Sequence, residues 1–161
     1  MNNIEKKEVT AVLFLDLQKA FDTVSHGILL KKLQHYGVRG NIHKLLSSYL
    51  SGRKQFTKIQ DSASDLASVI WGVPQGSVLG PLLFLIYIND LPNASELCSW
   101  LFADDTALAL SAKTISELKS RFNCEVNKVQ EWLLANGLSV HYVDKTQYML
   151  FHGTIFKNTD F

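Results

Sequence analysis

Apolar residues occur along the chain in runs whose spacing predicts a mixture of strands and helices. Residues 9–15 form a β-rich apolar run, which is typical of a strand buried on both faces and ends at Asp16. In residues 24–36 and 42–50 the apolar positions recur at helical spacing. Residues 55–59 and 66–71 are predicted to be a strand pair joined by a polar linker.

The second half of the chain continues this alternation of elements. A helix is expected to begin with Pro81 in its first turn and to end near Leu91. Residues 99–111 contain two strand-like runs with an acidic pair at the bend between them.

Thr114 and Glu117 have the spacing of a capping box, and Gly137 marks the end of the helix that this box begins. Residues 146–151 form a last predicted strand. The order β-α-α-β-β-α-β-β-α-β favours an α+β domain, with helices packed on one face of an antiparallel sheet.

Composition limits the class of protein. The chain has 161 residues, of which 47% are hydrophobic and 19% charged, so it is expected to fold as one domain or as part of a larger one. Disordered and collagen-like classes are excluded. A formal net charge of +1 argues against a strongly basic nucleic-acid module, although a near-neutral chain can still supply part of a charged groove.

The two cysteines and the absence of long apolar runs indicate the compartment. Cys98 and Cys124 lack zinc-ligand spacing and are predicted to be buried free thiols in a reducing compartment. The first residues lack the apolar core of a secretory signal, and the apolar run 82–88 is far shorter than the ~20 residues that cross a bilayer. An intracellular protein of the cytoplasm or nucleus, with no membrane association, is therefore expected.

Three acids follow or separate apolar strands. Asp16 ends the first strand, and Asp104 and Asp105 lie at the bend of the later hairpin. If these strands are neighbours, the carboxylates form a cluster that needs a divalent cation, and hard oxygen ligands suit Mg²⁺ or Mn²⁺. A plain β-turn is the alternative for the acidic pair. A haloacid-dehalogenase-like phosphatase is discounted, because Leu17 and Gln18 stand where its second acid should follow.

Residues 72–81 concentrate three glycines and two of the three prolines of the chain. Glycines let a backbone approach a ligand closely, and the amide of Gln75 can both donate and accept hydrogen bonds. This segment suits contact with a sugar or a base, and a tight structural turn before a helix is the alternative. It is not a P-loop, because no Gly-Lys-Ser/Thr follows.

Taken together, these segments resemble the motifs of reverse transcriptases. The matching segments are 14–24 (FLDLQKAFDTV), 72–81 (GVPQGSVLGP) and 101–106 (LFADDT, the FADD motif), in the order and spacing of that family. Segments 82–92 (LLFLIYINDLP) and 132–136 (WLLAN) narrow the resemblance to jockey-like, LINE-type non-LTR retrotransposons. The match covers about residues 9–151.

The resemblance implies a right-hand polymerase palm that carries out RNA-directed DNA synthesis. It assigns metal binding and catalysis to Asp16, Asp104 and Asp105, with the Leu17 carbonyl assisting, and implies two Mg²⁺ or Mn²⁺ ions. The implied partners are an RNA template with a DNA primer and deoxynucleoside triphosphates. These roles come from the family and not from the spacing of the residues.

Four further residues receive substrate-binding roles from the resemblance. Phe21 matches the steric gate that rejects a 2′-hydroxyl, and a core phenylalanine is its alternative. Gln75 and Gly76 match the segment that lines the nucleotide and template site. Lys145 matches a lysine that neutralises the leaving pyrophosphate, and a solvated surface charge is its alternative.

Two departures from the family pattern bear on activity. His141 and Tyr142 replace a single asparagine ahead of the segment of Lys145, and this slip changes the side-chain direction unless a bulge absorbs it. The resemblance also implies a single partial domain, with the palm at about residues 9–151 and an irregular tail at 152–161. In this interpretation the fingers are incomplete and the thumb is absent. The second hypothesis is therefore an inactive remnant that acts as a scaffold, with self-association through uncovered apolar surface.

Overall fold

The computed structural model describes residues 8–141 and 146–152, which form two compact units. The first, called the sheet unit here, comprises residues 8–18, 90–135, 139–141 and 146–152. The second, called the helical unit, comprises residues 19–89 and 136–138. The family-implied tail beyond residue 152 lies outside the described residues, as do residues 142–145.

The sheet unit is built on four antiparallel strands. The strands are β1 (Val9–Asp16), β6 (Cys98–Phe102), β7 (Asp105–Ala112) and β8 (Gln147–Phe151), and they lie in the order β6-β7-β1-β8. β1 pairs with β7 along its whole length, so the register is fixed from Val9 opposite Ala112 to Asp16 opposite Asp105. The antiparallel sheet predicted from the strand pattern is thus present.

The two faces of this sheet differ in burial. On one face, Leu15, Leu108 and Leu110 are buried, and the helix α4 (Ile115–Ala135) contacts both β1 and β7. On the other face, Phe14 and Trp100 are exposed. The expectation that β1 is buried on both faces is therefore wrong, because no described element of this unit covers the second face.

Helix α4 begins where the sequence pattern predicts, and its buried face is mostly but not wholly the predicted apolar one, since Ile115 is exposed and Glu125 is buried. The Thr114 hydroxyl accepts a hydrogen bond from the Glu117 amide at 3.2 Å, which satisfies a donor of the first turn. The buried side chains recur every three or four residues, which is the spacing of one helix face: Leu118, Phe122, Glu125, Val129 and Leu133.

Glu125 is the one charged member of that buried face. Its carboxylate accepts a hydrogen bond from the backbone N–H of Glu96 at 2.8 Å and from the Lys128 ammonium at 2.6 Å. These contacts, the Glu96 amide first, lower the pKa of Glu125 below its ordinary value. The carboxylate thus connects α4 to the chain that leads from a short 3-10 helix (Leu91–Ala94) into β6.

The helical unit contains α1 (His26–His35), α2 (Gly40–Leu50) and α3 (Leu79–Ile88). α1 begins after Ser25, whose hydroxyl accepts a hydrogen bond from the Ile28 amide. α1 contacts both α2 and α3. The core of this unit is made of fully buried side chains from all three helices: Leu29, Leu33, Leu50, Phe84 and Tyr87.

Between α2 and α3 the chain forms four two-residue strands. These are β2 (Lys54–Gln55), β3 (Lys58–Ile59), β4 (Ser62–Ala63) and β5 (Ala67–Ser68), with β2 paired to β5 and β3 to β4. The two predicted runs pair only through β2 and β5, and the segment predicted as a polar linker contains β4, which pairs with β3.

Two other expectations need correction or comment. Cys98 and Cys124 are free, but both are exposed, because Cys98 lies on the edge strand β6 and Cys124 lies on α4 away from its buried face. Helix α3 begins at Leu79, two residues before Pro81.

In the described part of the chain, no helix is both long and apolar enough to span a membrane.

Candidate active site

The sheet register brings two of the predicted acids to the same position on neighbouring strands. Asp16 is the last residue of β1, Asp105 is the first residue of β7, and the two are direct cross-strand partners. Directly opposed residues of an antiparallel pair have Cβ atoms about 4.5–5.5 Å apart. Eight paired positions fix this register, so the proximity of the two acids follows from the pairing of the whole strands.

The third acid lies in the turn that joins β6 and β7. Phe102 pairs with Asp105, which leaves Ala103 and Asp104 as a two-residue connection. Ala103 has a φ of 54°, in the left-handed region that an alanine adopts at a cost of about 1–2 kcal/mol. Strained backbone of this kind persists where the surrounding structure holds it, as the β6–β7 pairing does here.

Asp16 and Asp105 lie on the more exposed face of the sheet, beside aromatic rings. Phe102, Asp105 and Asp16 are cross-strand neighbours in one row, and Trp100 and Phe14 flank Ala107 in the next. Phe102 is 82% exposed and Trp100 is 60% exposed. A cavity of about 340 Å³ opens among these aromatic side chains next to Asp105. The arrangement combines charge for a cation with flat apolar surface for a ring system.

The donor chemistry at this edge suits a hard divalent cation. Carboxylate oxygens are the ligands that Mg²⁺ prefers, and two like charges directly opposed on a sheet repel each other unless a cation lies between them. In residues 8–141 and 146–152, however, no three His, Cys, Asp or Glu side chains are arranged so as to hold a metal ion. The donor types therefore fit such an ion, while a converged three-carboxylate site is not formed.

Leu17 continues the chain beyond Asp16. An isolated antiparallel bridge pairs Leu17 with Val140. Its two hydrogen bonds run from the His141 amide to the Asp16 carbonyl, at 2.9 Å, and from the Gln18 amide to the Ser139 carbonyl, at 2.8 Å. Neither bond uses the carbonyl of Leu17, which the family resemblance assigns to a metal ion.

Lys145 lies outside the described residues, so its role in neutralising the pyrophosphate stays a prediction. The pairing on either side of it is nevertheless informative. Val140 is opposite Leu17, and Gln147 is opposite Phe14. The two facing segments therefore differ in length, because Phe14 and Leu17 are three residues apart whereas Val140 and Gln147 are seven residues apart. The expectation that the added residue changes the side-chain direction of Lys145, unless a bulge absorbs it, stays a prediction.

In the helical unit, the glycine- and proline-rich segment is fixed by backbone hydrogen bonds to the segment that carries Phe21. The Gly72 amide donates to the Val24 carbonyl and the Val73 amide to the Phe21 carbonyl, both at 2.8 Å. The His26 imidazole Nε2 lies 2.7 Å from the Gly72 carbonyl oxygen. Two motifs that are distant in sequence thus form one local structure.

Glycine is required at Gly72 for two reasons. Its φ is +85°, and a Cβ atom there would lie 2.9 Å from both the Cα and the carbonyl oxygen of Asp22. Gly76 also has a positive φ, +76°, but a Cβ atom at Gly76 would meet nothing within 4 Å. Close packing against the Asp22 backbone therefore requires glycine at Gly72, whereas no such packing exists at Gly76.

Gln75 is exposed and its amide is oriented by a neighbouring acid. The Gln75 Nε2 donates a hydrogen bond to Asp22 Oδ1 at 2.9 Å. The bond to Asp22 uses one N–H of the amino group, so the carbonyl oxygen and the second N–H of the Gln75 amide can serve another partner. The Phe21 ring is half-buried and stacks on Phe84 with the ring centroids 4.6 Å apart.

The predicted site residues therefore fall into three groups. Asp16, Leu17, Asp104 and Asp105 lie together at one end of the sheet unit. The helical unit carries Phe21, Gln75 and Gly76, and Lys145 is not described.

Asp22 and His26 were not singled out by the sequence analysis as members of this site. The motif that contains Phe21 was a signal for Asp22, since it places an acid directly after the ring. His26 lies two residues after that motif, and nothing in the sequence indicates that its imidazole contacts the Gly72 carbonyl.

Comparisons with known proteins agree on one family. The model of the family described as "Reverse transcriptase (RNA-dependent DNA polymerase)" matches residues 1–159. The RNA-directed DNA polymerase from the mobile element jockey of Drosophila funebris is 33% identical over 146 residues, covering 86% of this chain and 16% of that protein. The probable RNA-directed DNA polymerase from transposon BS of Drosophila melanogaster is 36% identical over 127 residues, covering 70% of this chain and 13% of that protein.

The backbone also resembles a solved structure. The telomerase from Candida tropicalis, in complex with the TWJ fragment of telomeric RNA, superposes with a TM-score of 0.67 at 15% identity. The match covers 92% of this chain and 28% of that one. At this identity the likeness concerns the fold. The chain spans about a sixth or less of the length of the two retrotransposon polymerases named above.

Proposed function

The chain belongs to the reverse transcriptase (RNA-dependent DNA polymerase) family, and on that premise we propose that it is the palm region of an RNA-directed DNA polymerase of a non-LTR retrotransposon. The relatives that support this subgroup are the polymerases of jockey and of transposon BS. The proposed reaction is the template-directed transfer of a deoxynucleotide to the 3′-hydroxyl of a DNA primer.

The observation that carries this proposal is the cross-strand pair of Asp16 and Asp105 on an exposed sheet face. Two carboxylates in direct register, with Asp104 in the adjoining turn, are costly in a fold that gains nothing from them. They suit a site in which cations are bound during the reaction. A plain β-turn accounts for Asp104 but not for the pairing of Asp105 with Asp16.

We assign the holding of two Mg²⁺ or Mn²⁺ ions to Asp16, Asp104 and Asp105, with the carbonyl of Leu17 as a further oxygen ligand. When bound, such a pair of ions would lower the pKa of the attacking hydroxyl and would stabilise the charge of the leaving pyrophosphate. The strained turn at Ala103 holds Asp104 next to the strand that carries Asp105. The exposed rings of Phe102 and Trp100 offer apolar surface to the sugar or base of a bound strand.

Substrate binding is assigned to the helical unit. The Phe21 ring, supported by Phe84, is proposed as the steric gate under the nucleotide sugar. Gln75 and Gly76 are proposed to line the nucleotide and template site, with the Gln75 amide oriented by Asp22. Lys145 is proposed to neutralise the pyrophosphate, on the family resemblance alone.

The proposed partners are an RNA template, a DNA primer and deoxynucleoside triphosphates. The names of the retrotransposon relatives describe RNA-directed DNA polymerases, and the similar telomerase was solved with an RNA fragment. Because this chain spans so small a part of those relatives, the activity of the complete polymerase is a proposal for it.

Primer extension on poly(rA)/oligo(dT) with Mg²⁺ or Mn²⁺ tests this function. The chain is compared with Asp104→Asn, which removes a proposed ligand, and with Glu131→Gln, which removes an equal charge from an exposed position on α4. We expect extension by the chain and by Glu131→Gln, and a loss of at least ~100-fold in Asp104→Asn. Equal extension by all three would refute the assignment of the acids.

A non-catalytic scaffold is the second candidate, and exposed apolar surface favours it. Phe14, Trp100 and Phe102 are exposed in the sheet unit, and Val78 and Leu82 are exposed in the helical unit. Such surface favours self-association. Absence of extension, together with a cooperative thermal melt and a concentration-dependent elution volume in size-exclusion chromatography, would support the scaffold. A clean monomer at all concentrations would argue against self-association.

A further inference from the structure

Residues 53–69 form a projecting hairpin, called the β-arm here, that the family motifs do not include. Its strands pair Lys54 with Ser68 and Gln55 with Ala67, and nearer the tip Lys58 with Ala63 and Ile59 with Ser62. Except for Arg53 and Val69 at its base, every residue of the β-arm is exposed.

The base of the β-arm is anchored to α2. The Val69 amide donates to the Arg53 carbonyl at 2.9 Å, which closes the hairpin. The Arg53 guanidinium lies over the ring of Tyr49 on α2, 5.6 Å from its centroid. The β-arm therefore begins from a fixed point of the helical unit.

Between its two paired regions the β-arm has one more residue on the returning side than on the outgoing side. This difference determines which side chains share a face. Thr57 pairs with Ser64 through backbone and side-chain hydrogen bonds of 2.9 Å. Between this pair and the pair of Gln55 with Ala67, Phe56 alone faces both Asp65 and Leu66. This is the geometry of a β-bulge on the returning strand.

The extra residue is on the returning side, so the outgoing segment can run extended from β2 to β3 without a shift in its alternation. In such an extended segment Lys54, Phe56 and Lys58, which are two residues apart, share one face. Four residues of extended backbone set the Cα atoms of Lys54 and Lys58 roughly 13 Å apart, with Phe56 between them.

The side chains of this face are exposed, although Asp65 and Leu66 lie opposite Phe56. The cross-strand neighbours of Lys54 and Lys58 are the small residues Ser68 and Ala63. The Phe56 ring is 56% exposed, a large apolar area for a position with no described core around it. In the described part of the chain, no salt bridge engages Lys54 or Lys58.

We propose that the face formed by Lys54, Phe56 and Lys58 binds single-stranded RNA, with the ammonium groups on the phosphates and the ring stacked on a base. Alternation of cations and an aromatic ring is the pattern that single-stranded nucleic acid requires, since its charge is on the backbone and its bases are unstacked. A protein partner would match the two positive charges with acids but would not explain the isolated ring between them.

This inference rests on the proposed function, in which the bound strand is the template ahead of its copying. It adds a contact surface that belongs to none of the three sequence motifs. It also agrees with the charge of the chain, because a net charge of +1 does not prevent a local basic face.

The test is the affinity of the 161-residue chain for a fluorescein-labelled single-stranded oligo(rA), measured by fluorescence anisotropy at several salt concentrations. The double variant Lys54→Ala/Lys58→Ala is compared with Lys31→Ala/Lys44→Ala, which removes the same charge from exposed positions on α1 and α2. Phe56→Leu removes the ring and keeps an apolar side chain. Thermal melts of all variants check the fold.

We expect the β-arm double variant to bind about tenfold more weakly and with a salt dependence less steep by about 1.4 in log–log slope, as two lost phosphate contacts require. Phe56→Leu should weaken binding about fivefold, through loss of stacking. The control double variant should change affinity by less than about twofold. Equal binding by all variants, or equal weakening by both double variants, would overturn the proposal.

Failure of the proposed function can be told apart from failure of this inference. If the chain extends no primer but the β-arm variants still lose RNA binding, the inference stands without the polymerase. If the chain extends primers and the β-arm variants bind RNA normally, the inference alone fails.

Discussion

The acids of the sheet unit and the glycine-rich segment of the helical unit are both candidate functional parts, yet they are held in different ways. Asp16 and Asp105 owe their proximity to eight consecutive cross-strand pairs. The segment around Gly72 is held by two backbone hydrogen bonds and by close approach to Asp22. A single substitution should therefore disturb the second far more than the first.

The largest expected effect is on Gly72. Gly72→Ala should lower the free energy of unfolding by about 3 kcal/mol, since it combines an unfavourable φ with a clash against the Asp22 backbone. Gly76→Ala is the matched control, because it meets the same φ penalty in open space and should cost about 1 kcal/mol. Chemical denaturation measures both, and equal losses would contradict the close-packing argument.

A smaller effect on the stability of the fold is expected from substitution of Glu125 in the sheet unit. Its pKa is lowered on folding, so its carboxylate stabilises the fold above its ordinary pKa of 4.5, and this contribution is lost as the pH falls through the folded value. Glu125→Gln should therefore lower the melting temperature at about pH 7 and much less at about pH 3.

The control for Glu125 is Glu117→Gln on the same helix, whose carboxylate makes an exposed pair with Arg121 at 3.6 Å. Exposed pairs of this kind contribute little to stability. A loss in Glu125→Gln that is the same at both pH values, or no greater than in Glu117→Gln, would show that the buried carboxylate is not the cause.

The orientation of Gln75 by Asp22 predicts an effect on substrate binding and not on folding. Asp22→Ala frees the Gln75 amide and should raise the KM for the nucleotide about fivefold, corresponding to about 1 kcal/mol, with kcat nearly unchanged. Asp22→Asn retains an acceptor for the Gln75 amino group and should recover most of this loss. Steady-state primer extension measures both parameters, and no difference between the two variants would contradict the orienting role.

The smallest expected effect concerns the acid pair itself. In metal-free buffer, Asp105→Asn should raise the free energy of unfolding by about 0.2–1 kcal/mol, because it removes one of two directly opposed like charges. Mn²⁺ should raise the melting temperature of the unmodified chain more than that of the variant. Asp61→Asn should change neither property, and the same gain from it would point to a general charge effect.

Much of the sheet unit could be predicted from the sequence. β1, the β6–β7 hairpin and α4 were anticipated within one or two residues, because apolar periodicity and a cap define such elements locally. The burial of the sheet was less predictable. Phe14 is exposed although it belongs to an apolar run, because one sheet face lacks a covering element among the described residues of that unit.

The glycine-rich segment was recognised from its composition, but its partner was not. No local pattern indicates that Gly72 approaches the backbone of Asp22, fifty positions earlier in the chain. The β-arm was predicted as a pair of strands, but the bulge opposite Phe56 follows only from the register of both strands. The functional interpretation of Lys54, Phe56 and Lys58 depends on that register.

The sequence by itself determined the types of element, their order, the motifs that indicated the family, and the acids that those motifs contain. These depend on local periodicity and on residue identity, both of which can be read along the chain. Only the tertiary structure decided that Asp16 faces Asp105, that Asp22 orients Gln75, and that Lys54 and Lys58 lie on the outgoing side of an exposed hairpin. Each of these depends on pairing between distant segments, whose register is selected by the packing of whole elements and not by any short stretch of sequence.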